Sequence, residues 1–295
     1  SGGVMWAGSF GMGIFRGADR AGSWTAANQG LTDPFVLCLT TGKDGAIYAG
    51  TFRGGVFRSR DGGKIWQPVN KGLKRLEIKA LMMDAKGLYA GTGDGVYLLN
   101  AAQDQWKVVS TGLDEILVHA LARTDDGTLY AGTSGKGVHS YKERSTGWTR
   151  LRQGLRDHEG LVENFIRVLA VDKEQGVYAG TFDGGVFRSG DAGKTWSPIS
   201  RALPNDSIRG LISNERGVYV ATGRGIFKTV DKGRQWVPLN KGLSNLSVQV
   251  LIEGEKGGFY AGTSSGVFRS DDDGLTWTAV SQGLEGESVA PFKFN

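Results

Sequence analysis

Lys79, His119, Arg167, Arg209 and Gln249 occupy one recurring place in the sequence, each directly after an apolar residue (Ile78, Val118, Ile166, Ile208 and Val248) that opens a short run. Three permanent cations, an imidazole and an amide are the groups that bind a carboxylate, a phosphate or an acidic peptide segment, and cations that converge on a cleft focus its potential. This is binding chemistry, and no catalytic residue is assigned. A plainer reading stays open beside it. Polar side chains at a wet opening avoid burying charge, or pair with acidic neighbours such as Glu77, Glu115, Glu163 and Asp206.

Other chemistry has thinner support. Asp94 and Asp183 are the acids that could serve as a glycoside-hydrolase pair, which needs carboxylates about 5 to 9.5 Å apart across a cleft. The single cysteine, Cys38, excludes an internal disulfide framework, and the three histidines show no close metal-ligand spacing, so neither metal nor cofactor is expected. Gly54-Gly55 and its equivalents lie between strand-like runs, without the following helix that a phosphate-binding loop requires.

The elements that must position these residues are set by a repeat. Tyr48-Ala49-Gly50-Thr51 recurs at 89–92, 130–133, 178–181 and 260–263, with variants at 6–9 and 219–222, giving seven copies. Each is followed by a tryptophan: Trp24, Trp66, Trp106, Trp148, Trp196, Trp236 and Trp277. Their separations of 42, 40, 42, 48, 40 and 41 residues are the length of four short strands with their turns. In the second unit, alternation and turn residues place strand A at 36–39, B at 47–51, C at 55–59 and D from 65. The 48 glycines, beside only 6 prolines, therefore serve turns. The expectation is an all-β fold, a single seven-bladed β-propeller spanning 1–295. Its first blade is composite, with strands B to D at 1–31 and strand A supplied by 287–294, which seals the open sheet edges.

Between strands C and D the pattern Ser59-x-Asp61-x-Gly63-x-x-Trp66 recurs around Asp191, Asp231 and Asp272, survives partly at Asp19, and is lost before Trp106 and Trp148. It resembles the Asp-box, or bacterial neuraminidase repeat, of sialidase-like propellers. Its expected role is structural, a short carboxylate holding a tight turn while the tryptophan packs between sheets. The neighbouring Arg16, Arg58, Arg188 and Arg269 are expected on blade surfaces. Sialidases themselves imply six blades and a Phe-Arg-Ile-Pro motif, absent here. Xyloglucan-type endoglucanases place catalytic aspartates between two propellers, and this chain supplies one. Sortilin-type receptors imply ten blades and a cysteine-rich module. The organisation is most similar to the photosystem II stability and assembly factors, a resemblance that implies a binding scaffold.

In such a ring the start of strand A and the B–C loops share one face. The latter carry Phe10, Met12, Phe52, Arg53, Asp94, Ser134, Lys136, Phe182, Asp183, Arg224, Ser264 and Ser265. Arg53 and Arg224 join the candidate ligand-binding set, and aromatics beside arginines suit peptide, glycan or base stacking, although each Phe also has a neighbouring blade to pack on. A longer loop at 156–161 is expected to rise over the same face. The predicted function is a non-catalytic, monomeric binding or assembly-scaffold protein that recognises a protein partner or anionic ligand at a basic channel mouth. A carbohydrate-binding or glycoside hydrolase-like propeller is the alternative. A net charge of +5 permits an anionic partner, but without a lysine-rich run or recognition motif it does not point to nucleic acid. No apolar run approaches the roughly 18 residues of a membrane-spanning helix. The resemblance and the lone cysteine lean towards an extracytoplasmic location, periplasmic or secreted.

Overall fold

Every Tyr-Ala-Gly-Thr segment forms a strand buried along its whole length, as at Ile47–Thr51, Val177–Thr181 and Phe259–Thr263. Such strands have neighbours on both faces, and the glycine allows one of these to come close. A β-carbon at Gly50 would lie 2.6 Å from Ile78 Cγ2, and one at Gly180 equally close to Ile208 Cγ2. The residue that opens strand A of the next blade is thus seated in a notch left by glycine, and Ile78, Ile166 and Ile208 are fully buried.

The computed structural model describes residues 3–18, 23–100, 102, 104–109, 111–151, 165–204, 207–254, 257–284 and 289–294. They form seven four-stranded antiparallel sheets without a helix, a seven-bladed β-propeller. Taking the blades in chain order, the innermost strands A of blades two to seven are Val36–Thr41, Ile78–Met83, Val118–Arg123, Ile166–Val171, Ile208–Asn214 and Val248–Glu253. In blade one Val289–Phe294 pairs with Val4–Ser9, with Met5 opposite Phe294 and Ser9 opposite Val289. The inner strands touch in a cycle, and Val289–Phe294 contacts both Val248–Glu253 and Val36–Thr41. Outer strands are short, and in blade two the strand is Gln67–Pro68, beginning just after Trp66 rather than at residue 65.

The core lies between blades, and the tryptophans tie one to the next. Indole N–H groups of Trp66, Trp106, Trp236 and Trp277 donate to Ala27, Val69, Ile199 and Leu239 carbonyls of the preceding blade at 2.8, 2.6, 2.9 and 2.8 Å. Trp24 does the same to Val280 at 2.7 Å, joining blade one to blade seven. The crossover loop fixes the same junction, since the Trp106 N–H reaches Lys71 O at 2.8 Å and a β-carbon at Gly72 would sit 2.3 Å from Trp106 O.

Candidate ligand-binding mouth

Strand A carries a β-bulge in every blade from two to seven, and its extra residue is Leu37, Lys79, His119, Arg167, Arg209 or Gln249. The residue before it is locked into the adjacent blade, so the bulge re-aims the following side chain, as such irregularities commonly do. The B–C turns lie on the same face. Phe52, Phe182 and Ser264 donate N–H to the carbonyls of Phe35, Phe165 and Ser247, the residues just before strand A, at 2.9, 3.1 and 3.1 Å.

The bulge side chains are neighbours around the mouth, and all five are partly buried. Burial, followed by the positive fields of Lys79 and Arg167, holds His119 down at a pKa of about 4, so its ring is neutral at physiological pH. Its Nε2 is buried without a hydrogen-bond partner among the described residues, and its ring lies 4.5 Å from that of Phe165. Burial and the charge of Arg209 pull Arg167 below its ordinary value, although a guanidinium stays protonated. Arg167 lies 5.3 Å over the Phe182 ring and has a long contact to Ser207 Oγ, 3.4 Å. Arg209 donates to Ser247 Oγ at 3.0 Å, while the Gln249 amide donates to Ser247 Oγ and Ser264 Oγ at 3.1 and 3.0 Å. Only Lys79 has an acidic partner among the described residues of this set, Glu77 at 2.9 Å. Among the described residues, then, pairing accounts for Lys79, while the contacts of the two arginines are to hydroxyls and an aromatic face. Glu163 and Asp206, like loop 156–161, lie outside the described residues.

Arg53 and Arg224 are exposed on the rim. Arg53 sits 5.1 Å from the centre of the Phe52 ring, which also carries Lys79 at 5.5 Å, and its turn is pinned by Asp33, whose carboxylate accepts the Arg53 and Gly54 N–H groups at 2.6 and 2.7 Å. Arg209 packs beside Gly223, next to Arg224 in the chain. Phe10, Phe35 and Phe52 form a cluster with ring centres 4.8 and 5.9 Å apart, and Phe10 and Phe182 remain 58% and 48% exposed. Phe35, Phe165, Ser207 and Ser247 were not singled out by sequence. Extending the repeat alignment one residue before strand A would have found all four.

The acid pair is not built for proton transfer. Asp94 is buried, accepts the Glu115 N–H at 3.1 Å and the Tyr97 hydroxyl at 3.0 Å, and lies 3.4 Å from Lys74 Nζ. Burial opposes its charge, but these donors together hold its pKa below the usual carboxylate range, the reverse of a general acid. Asp183 is exposed. Among the described residues no group of His, Cys, Asp and Glu is placed to hold a metal. Burial pushes the Cys38 thiol up to about 12, which leaves it without thiolate reactivity.

On the opposite face, Asp61, Asp191, Asp231 and Asp272 each hold a turn. Ser59 Oγ donates to Asp61 at 2.8 Å and accepts the Gly63 N–H at 2.8 Å, and Asp61 accepts the N–H groups of Lys64 and Ile65 at 3.0 and 3.1 Å. The same bonds recur at Ser189 with Asp191, Thr229 with Asp231 and Ser270 with Asp272. Donors from Thr195 and Thr276 hold Asp191 and Asp272 down at about 2. Asp19 lies outside the described residues. The expectation that the nearby arginines are surface residues holds for exposed Arg16 and fails for Arg58. Arg58 is 7% exposed and grips Asp104 of blade three with both guanidinium nitrogens, at 2.5 and 3.0 Å, because its stem runs inward between blades. Arg188 likewise bonds the Tyr178 hydroxyl at 3.0 Å and Asp172 at 3.3 Å.

No known protein-family profile matches the chain, and no curated protein sequence matches it. Solved structures do resemble it in fold. The structure described as YCF48 bound to D1 peptide is 12% identical with a TM-score of 0.66, covering 88% of this chain and 90% of that one. The Niastella koreensis GH74 enzyme is 14% identical with a TM-score of 0.70, covering 96% of this chain and 53% of its own. The extracellular domain of the putative one component system BT4673 from B. thetaiotaomicron is 18% identical with a TM-score of 0.53, and the 94% of this chain that aligns spans 40% of its length. At these identities the likeness is one of architecture.

Proposed function

We propose that this protein is a non-catalytic binding or scaffold propeller of the Asp-box type that takes an anionic group, a carboxylate or acidic peptide segment of a protein partner, at the mouth of its channel. The observation that carries this reading is the bulge. One backbone irregularity, repeated blade after blade, presents Lys79, His119, Arg167, Arg209 and Gln249 in succession on one face. Among the described residues Arg167 and Arg209 contact hydroxyls and a ring, and guanidinium groups placed side by side in this way suit a carboxylate. The structure described as YCF48 bound to D1 peptide, which matches over most of both chains, supports a peptide segment as the partner. The GH74 likeness and the exposed phenylalanines keep a glycan as the second reading. The extracellular placement of the BT4673 propeller is consistent with action outside the cytoplasm, and the chain is taken to work as a monomer.

The test is capture of partners from source extract by wild type and by the Lys79→Ala/Arg167→Ala/Arg209→Ala variant, with a thermal melt confirming that the variant folds. A partner recovered by wild type and lost by the variant supports the reading. Equal recovery removes the mouth as the site. A bound anion also raises the pKa of His119, so affinity should strengthen as pH falls from neutral towards 4, and should lose that dependence in His119→Gln.

A further inference from the structure

On the face opposite the mouth, the C–D turn of one blade covers the preceding blade. A β-carbon at Gly63 would lie 2.2 Å from the Trp6 ring, and one at Gly193 would lie 2.4 Å from Leu151 Cδ1. Tyr130 donates its hydroxyl to Ala192 O at 3.3 Å, and Tyr219 to Asp273 at 2.6 Å. Blade four has no such cover to offer. Counting back from Trp148, its Ser, Asp and Gly positions hold Tyr141, Glu143 and Ser145. Ser145 Oγ turns back to Lys142 O and Gly147 O of its own loop at 2.7 and 3.1 Å, and Glu143 reaches Lys86. The Tyr89 hydroxyl of blade three is met by Arg123 instead of a turn.

What this leaves is a cavity of about 680 Å³ between blades two, three and four. Met83, Leu98, Leu99, Val108, Leu129 and Tyr141 supply its apolar lining, and Val108 is 51% exposed. The charged groups around it largely cancel. Arg123 pairs with Asp84 and Lys86 with Glu143, while Asp44 accepts the Ala46 N–H at 3.2 Å. Lys43 and Lys107 also line the cavity, both exposed and neither with an ion-pair partner among the described residues. A volume of this size suits a single small molecule, and an apolar lining with a few placed polar groups is the usual composition of such a site.

We infer that this cavity is a second ligand site, taking a small amphipathic organic anion whose apolar body lies on Leu98, Val108 and Tyr141 and whose charged group meets Lys43 and Lys107. The site is independent of the mouth and of whatever binds there.

The test is a fluorescence titration with 1-anilinonaphthalene-8-sulfonate and, as its neutral counterpart, N-phenyl-1-naphthylamine, well below the melting temperature. Saturable binding of the sulfonate, displaced by dodecanoate, is expected. Lys43→Ala/Lys107→Ala should weaken the sulfonate at least fivefold and leave the neutral dye within twofold. Val108→Glu, at an exposed position, should weaken both. The Lys79, Arg167 and Arg209 triple alanine variant should bind both dyes as wild type does. Absence of saturable sulfonate binding, indifference to both cavity variants, or loss with the mouth variant instead would each overturn the inference.

Discussion

Blades two, five, six and seven differ from blades three and four in how the C–D turn is closed, and the difference separates what the motif does for the turn from what it does for the ring. Where Ser or Thr, Asp and Gly are present, the hydroxyl and carboxylate absorb the turn's N–H groups, and the turn lies flat on its neighbour. Where they are absent the sheet still has four strands, and Trp106 still donates to the preceding blade. The motif therefore does not create a blade. It seals the seam between two of them, and without it the seam opens into a cavity at blade four.

This comparison can be broken most sharply at the tryptophans. Trp66→Ala should cost about 3–5 kcal/mol in denaturant unfolding, because it removes a fully buried ring and the N–H bond to Ala27. Trp148 in blade four is 9% exposed, and its Nε1 has no partner among the described residues. The same truncation there should cost about 1 kcal/mol less, the worth of the missing hydrogen bond; equal costs would show that the bond to the preceding blade contributes nothing.

Histidine titration gives the next largest effect. Burial holds both His119 and His139 at about 4, below their value of about 6.5 in the unfolded chain. The unfolded state thus takes up protons first. Stability is complete above 6.5, is lost progressively as pH falls to 4, and is flat below. Discounted for solvent screening, the loss is about 1–2 kcal/mol for each ring. Melting curves across that window should flatten by half in His139→Phe, whose ring is buried in blade four.

The turn carboxylates come next. Asp191→Ala and Asp272→Ala should lower the melting temperature at neutral pH, whereas Glu143→Ala, an exposed residue at the equivalent position, should leave it almost unchanged. Because Asp191 and Asp272 are held at about 2, their contribution is present above about 4 and disappears as pH falls to 2, so variants and wild type should converge there. Persistence of the difference would mean that packing, not charge, holds the turn. The smallest effect on stability is expected from rebuilding the turn in blade four with Tyr141→Ser/Glu143→Asp/Ser145→Gly. That variant should melt close to wild type, yet weaken sulfonate dye binding by closing the cavity.

The same contrast explains what could be read from the residues alone. Seven copies of a four-residue segment at blade spacing identify strand, sheet and ring together, because each copy must meet the same neighbours. Lys79 to Gln249 could be aligned because their apolar predecessors repeat. That a bulge turns them outward could not be read, since an extra residue leaves no mark on alternation so short. The inward course of Arg58 was missed for a related reason: its partner Asp104 stands in a turn that had lost the repeat, so nothing marked it as a counter-charge. The cavity was beyond reach of motif reading because it is made by residues that fail to match.

One consequence follows from the strand that completes blade one. Val289–Phe294 must find Val4–Ser9 across nearly the whole sequence, and the ring has no cycle of inner-strand contacts until it does. Neighbouring blades gain their contacts over tens of residues, so their search is short, while this last pairing carries the largest loop-closure entropy in the molecule. A chain still emerging from the ribosome therefore presents an unclosed arc in which Val4–Ser9 is a bare sheet edge, and in that interval the edge is open to another chain.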